Sequence, residues 1–205
     1  MLFVSRRVRY RTVGRGIVLC ERCGGDRPYR RRSGRRWLCL LGLPVVPAEP
    51  TGEHLRCTVC RTCYRVELLA VPTIPQMRAA LADGTRAAAV AVLQSGGAAG
   101  PAVRRRAVEL ISAAGKPGYG ERELAGDLAG ATVSDLGQLL GDLAVQLDPC
   151  AREWFVARLA GLGLAAGPLT GGQIAVIGQI ARHLGMSPAR VPDIIAAAER
   201  AARAG

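Results

Sequence analysis

Cys20-Glu21-Arg22-Cys23-Gly24-Gly25 and Cys57-Thr58-Val59-Cys60, with residues 26–56 between them, decide the fold of the N-terminal part of this 205-residue chain. A C-x2-C turn lets two thiolates converge on one ion while backbone amides point at the sulfurs, and two such turns complete a tetrahedral shell. Gly24 directly follows Cys23, where such a turn needs a positive φ that glycine adopts without steric cost. The constellation predicts one structural zinc ion on Cys20, Cys23, Cys57 and Cys60. The spacer between the pairs must then contain paired strands that return the second turn to the first. Cys63 extends the second pair to C-x2-C-x2-C and stands as an alternative ligand. A redox dithiol is a further alternative, although nothing around Cys57 reads as the strand-to-helix junction that such a site uses. Cys39 and Cys150 each stand alone and are expected to be buried as small hydrophobes.

Charge divides the chain in the same place as the cysteines do. Residues 1–70 carry 15 arginines against five acids, a surplus of ten, whereas residues 71–205 carry 13 basic and 11 acidic residues. Within the basic part, Arg27, Arg30, Arg31, Arg32, Arg35 and Arg36 surround Tyr29 and Trp37. Guanidinium groups beside aromatic rings suit phosphates and stacked bases, so Arg30, Arg31, Arg32, Arg35, Arg36 and Trp37 are candidate contacts to nucleic acid. A solvated basic hairpin tip, meeting an acidic protein or anionic lipid headgroups, is the competing reading.

Composition changes at Val71-Pro72-Thr73-Ile74-Pro75, read here as a linker (71–75) between a β zinc ribbon (1–70) and an all-α domain (76–205). Beyond it the helix punctuation is explicit. Thr73-x-x-Gln76 has capping-box spacing, and Met77, Leu81, Ala88 and Val92 recur on one face. A second helix follows Gly100-Pro101 with Val103, Ala107, Leu110, Ile111 and Ala114 inward, stopping near Gly115 and Pro117. Shorter helices are expected over 121–129 and 134–147. Asp148 before Pro149 opens a helix expected to bury Trp154, Phe155, Leu159 and Leu162. Thr170-x-x-Gln173 is a second capping box, flanked by Leu169 and Ile174 as a hydrophobic staple and leading to Ile177, Ile180 and Leu184. Gly185 supplies the stop, and Ser187-Pro188 restarts the chain toward Ile194, Ile195 and Ala198. The expected fold class is therefore α+β by segregated domains, with about seven helices behind the ribbon.

Residues 3–70 resemble the zinc-ribbon module that begins many bacterial proteins of the tellurite-resistance TerB-like group. The resemblance rests on Phe3-Val4, the run Arg11 to Gly16, the knuckle Cys20-x2-Cys23-Gly24, the apolar stretch Trp37 to Pro47, Gly52-Glu53 and the second knuckle. One departure is Arg61, where such modules usually carry glycine after the last cysteine. Residues 76–203 resemble the TerB-like helical bundle, whose two helix-loop-helix units would centre on 115–121 and 163–173. Family members commonly carry an Asp-Gly and a following Glu at these units, which gather a divalent cation through oxygen ligands. Here Ala166 and Gln173 stand in the expected acidic places of the second unit, so no calcium or magnesium site is expected in the helical domain. Glu121 and Glu123 read as favourable charges at a helix N-terminus.

Several function classes are disfavoured. No run of about eighteen apolar residues forms a membrane span, and Arg6, Arg7, Arg9 and Arg11 interrupt any secretory leader. Cytoplasmic residence follows as the expectation, with a location peripheral to a membrane, the basic surface meeting headgroups, as its alternative. The two histidines, His54 and His183, form no triad, and no P-loop, nucleophile elbow or carboxylate pair is present. The chain reads as a non-enzymatic zinc-binding interaction or scaffold protein with unidentified protein partners, in a metal- or stress-response setting that the resemblance implies. Nucleic-acid binding through residues 27–37 is the alternative.

Overall fold

The computed structural model describes residues 4–40, 43–97, 100–130 and 135–204. The chain divides into two compact units, residues 1–76 and 77–205. The first contains a four-stranded antiparallel sheet in the order β1-β2-β3-β4, and the second is helical.

The sheet is a meander of β1 (Val4–Cys20), β2 (Gly25–Leu40), β3 (Leu43–Cys57) and the short β4 (Cys63–Tyr64). A 3-10 turn, Glu21–Cys23, joins β1 to β2, and Gly24 at φ 66° reverses the chain into the new strand. Strands β2 and β3 fill the spacer between the cysteine pairs, and their pairing of Tyr29 with Cys57 brings the second knuckle back beside the first. The register is not uniform. Val13 is skipped between the pairs Thr12–Arg32 and Gly14–Arg31, and β2 slips against β3 at three places between Gly34 and Cys39. Pro44, Pro47 and Pro50 lie on the part of β3 opposite those slips. A proline donates no ladder hydrogen bond, and β4 pairs only with Leu55 and Arg56, so the prolines occupy strand that is an edge.

This unit has very little apolar interior. Among its described residues the buried hydrophobic side chains are Val18, Cys20, Cys39, Leu55 and Cys57. Burying Val18 and Leu55 contributes on the order of 1.5–3 kcal/mol each. Ordering the backbone costs about 1–2 kcal/mol per residue, so the sheet requires a further source of stability.

The second unit has a conventional core. Its helices are α1 (Ile74–Ser95, beginning at the end of the first unit), α2 (Pro101–Ala113), α3 (Glu121–Ala129) and α4 (Leu136–Ala144). They are followed by α5 (Pro149–Leu164), α6 (Gly171–His183) and α7 (Val191–Ala204), the last preceded by a 3-10 turn at Pro188–Arg190. Ser134, the expected start of the fourth helix, lies outside the described residues. Helix α5 is central, packing on α2, α6 and α7, and it contributes Phe155, Val156, Leu159 and Leu162 to the core. Two caps follow the sequence closely: Asp148 Oδ1 accepts from the Ala151 amide at 2.7 Å, and Thr170 and Gln173 form a reciprocal capping box. At Thr73 the pattern differs. Gln76 Oε1 accepts from both the amide and the hydroxyl of Thr73, and the Ile74 amide donates to Asp26 Oδ2 from β2.

Four expectations about burial are corrected. Trp154 is 57% exposed, with Arg158 stacked 5.0 Å above its ring, because the inward face of α5 runs through Phe155, Leu159 and Leu162. Ile174 and Met77 are exposed, the first because the N-terminal turn of α6 turns Gln173 and Ile177 inward instead. Cys150 is exposed in the first turn of α5, while Cys39 is buried. Among the described residues, no helix is long and apolar enough to cross a membrane.

Candidate metal centre

The end of β1, its following 3-10 turn, the end of β3 and the β3–β4 turn carry Cys20, Cys23, Cys57 and Cys60 to one place. Their four sulfurs all lie within 4.8 Å of one another, and Cys20 Sγ is 3.6 Å from Cys60 Sγ. Four thiolates about 2.3 Å from a shared ion stand about 3.8 Å apart, so this cluster has the dimensions of a metal site. The four cysteines lie close together and can hold a metal ion. Among the described residues they form the single such group of three or more His, Cys, Asp or Glu side chains. Cys63 is elsewhere: it is exposed on β4 opposite Arg56, with its sulfur 4.0 Å from the Arg61 carbonyl.

The two knuckles share one backbone feature. The residue after the second cysteine is left-handed in each, Gly24 at φ 66° and Arg61 at φ 62°. Arg61 is the only non-glycine with positive φ among the described residues, a conformation that costs a residue with a Cβ about 1–2 kcal/mol. An arginine, which carries a Cβ, at this left-handed position therefore strains the second turn. The turn is closed by the Cys57 amide donating to the Thr62 carbonyl at 3.0 Å.

Hydrogen bonds to the sulfurs tie one knuckle to the other. The Arg22 amide donates to the Tyr64 hydroxyl at 3.4 Å, and that hydroxyl stands 3.2 Å from Cys20 Sγ. The Arg22 guanidinium reaches Thr62 Oγ1 at 3.4 Å, which is 3.3 Å from Cys60 Sγ. These contacts set how readily each sulfur ionises. Hydrogen bonds from the hydroxyl and the amide of Thr62 bring the Cys60 thiol down to about 6. Burial pushes the Cys20 thiol up, but the hydrogen bonds from Tyr64 and the Cys23 amide outweigh it, and the group lies below its ordinary value. Desolvation, then the neighbouring sulfurs, push Cys23 up to about 12. Cys20 and Cys60 thus ionise more readily than a free thiol, whereas Cys23 holds its proton more tightly and must release it to an entering cation.

Tyr64→Phe removes the donor to Cys20, so the Cys20 thiol rises and protons compete better for that sulfur. Metal affinity should fall about 10- to 100-fold, the usual consequence of losing a partner of a metal ligand. The loss should widen as pH falls, because thiolate is then scarcer in the variant than in the parent. Competition with a chromogenic chelator across pH measures this; an affinity ratio that does not change with pH would contradict the role given to Tyr64.

The arginine run does not form one patch. Side chains alternate between the faces of a strand, so Arg30 and Arg32 share one face while Arg31 lies on the other, paired at 2.5 Å with Glu53. Arg35 and Arg36 are exposed farther along β2, opposite Arg9 and Val8, and Trp37 is half-buried between Arg7 and Pro47 in register. Arg30 and Arg32 instead meet residues that composition did not single out. Arg56, Arg61, Thr12 and Thr58 join them around a cleft of about 430 Å³. Comparison with protein-family models, curated proteins and solved structures found no match to this chain.

Proposed function

We propose that this chain is a non-enzymatic interaction protein in which one structural zinc ion keeps an N-terminal ribbon folded and a TerB-like helical bundle forms a second scaffold. The cluster of Cys20, Cys23, Cys57 and Cys60 is the observation that carries the reading. Soft thiolates in a tetrahedral set favour zinc, and four of them fill its shell. No position is left for a water or a substrate, so the ion would hold structure and perform no reaction. The resemblance of residues 3–70 and 76–203 to the TerB-like group supports protein partners and a stress-response setting in the cytoplasm.

Metal analysis of the purified chain tests the core of this proposal. One zinc per chain is expected, retained in Cys63→Ser and lost in Cys60→Ser. Iron in place of zinc, or loss of the metal with Cys63→Ser, would overturn it. For the partner, the intact chain and Cys60→Ser serve as paired baits in the native host. A protein held only by the zinc-loaded chain would assign recognition to the ribbon.

A further inference from the structure

The face of the sheet that carries Arg30 is built against its own electrostatics. Arg15, Arg30 and Arg56 stand directly opposite one another on β1, β2 and β3, a row of three cations across three adjacent strands. Like charges in register destabilise a sheet. One position along, Arg32 lies between Thr12 and His54, and Arg61 reaches the same cleft from the second knuckle. The residues lining the cleft include no acid, and among the described residues none of Arg30, Arg32, Arg56 and Arg61 is paired with a carboxylate. Arg31 on the opposite face, by contrast, has Glu53. Arg61 is also the residue held at φ 62°, so a strained backbone position delivers one of the four guanidiniums. Strain and uncompensated charge converge on one recess: the strained position carries Arg61 to it, and a bound anion would offset the charge gathered there.

Beside the recess the face turns aromatic. The Arg32 guanidinium lies 5.1 Å over the ring of Tyr10, and that ring meets His54 edge-on at 4.9 Å. Tyr10 is 47% exposed, and its ring lies against the backbone of Gly34, where a Cβ would collide with it. We propose that this face binds single-stranded nucleic acid. The phosphodiester chain enters the cleft between Arg30, Arg32, Arg56 and Arg61, and a base stacks on the adjoining Arg32–Tyr10–His54 group. One free phosphate would not satisfy a row of cations spread over three strands. A bilayer is flat and does not enter a recess, whereas a strand of phosphates does. Planar rings and guanidiniums next to the cations are the surfaces on which unpaired bases stack. The proposal rests on the reading of the ribbon as a zinc-held interaction module, and zinc content is therefore measured in every variant alongside binding.

Fluorescence anisotropy with a labelled 20-nucleotide oligo(dT) across a salt series provides the test, using the full chain. Arg30→Ala/Arg56→Ala should weaken binding at least 10-fold and reduce the salt slope by roughly 1.4, since each phosphate contact on a single strand contributes about 0.7. Arg31→Ala, which removes the same type of charge from the other face, should change affinity less than about two-fold. Tyr10→Ala should weaken oligo(dT) about 5-fold or more while leaving the binding of inorganic polyphosphate unchanged, because only the nucleic acid has bases to stack. Arg61→Gly should lower affinity while raising the denaturation midpoint of the ribbon, an opposition that a purely structural role for Arg61 does not produce. If the alanine pair loses its zinc, Arg30→Gln/Arg56→Gln keeps the side-chain stems and carries the same measurement. Absence of oligo(dT) binding at low salt by the zinc-loaded chain would overturn the proposal while leaving the zinc module intact. So would equal losses from the two faces, or tighter binding to phosphatidylserine vesicles or to polyphosphate than to oligo(dT).

Discussion

Cys57→Ser should release the metal and unfold the ribbon while residues 77–204 keep their helices. Cys57 is 1% exposed at the end of β3, so its sulfur is both a member of the four-thiol cluster and part of the unit's small interior. Beyond the cysteines, that interior is Val18 and Leu55 among the described residues, far too little to order three strands of 15 to 17 residues. Structural zinc in small domains contributes on the order of 10–16 kcal/mol near pH 7, with folding and binding as one event. Removing one of four ligands therefore takes away more than the rest of the ribbon can supply. Two-dimensional amide NMR reads the outcome directly: signals of residues 4–70 should collapse to unfolded positions, and those of the helical unit should persist. A ribbon that keeps its dispersed signals without metal would show that the sheet stands on contacts other than the ion. The same collapse should follow chelation of the parent protein and reverse on adding zinc.

The cysteine cluster was legible because ligation imposes a spacing that few other demands impose. A pair at C-x2-C has to form a turn, and two pairs have to meet, so Cys20, Cys23, Cys57 and Cys60 follow from chemistry before any strand is known. Helix starts were legible for a similar reason. Asp148 and Thr170 satisfy amides three residues away, and that information is local. The cleft was not legible. Arg30 and Arg32 meet Thr12, Arg56 and Arg61 through a register set by the irregularity at Val13 and the length of β3, and no local pattern specifies either. Period-two alternation alone would have separated Arg31 from its neighbours, but which face faces a partner depends on where Glu53 falls. At Thr73 the expected box is altered by Asp26, far away in sequence, which takes the Ile74 amide.

Helix α5 gives the largest expected effect in the second unit, through two adjacent aromatic residues with opposite fates. Phe155 is 4% exposed within the core cluster, and Trp154 is 57% exposed. Successive helix residues point about 100° apart, so two neighbours cannot both lie at the centre of one buried stripe. The positions four residues on decide between them: Phe155 leads to Leu159, which is buried, whereas Trp154 leads to Arg158, whose guanidinium lies over the indole. A tryptophan is the larger hydrophobe, which is why composition favours its burial, but its i+4 neighbour assigns it to solvent. Phe155→Ala should cost about 3–5 kcal/mol, because it removes a ring from the helix on which α2, α6 and α7 pack and leaves a cavity. Trp154→Ala should cost below about 1 kcal/mol, the scale of an exposed cation–π contact. Urea denaturation of the zinc-loaded protein, followed by the helical circular dichroism signal, compares the two. Equal costs, or a larger cost at Trp154, would mean that α5 is rotated about its axis relative to this packing, and the assignment of Leu159 and Leu162 to the core would fall with it.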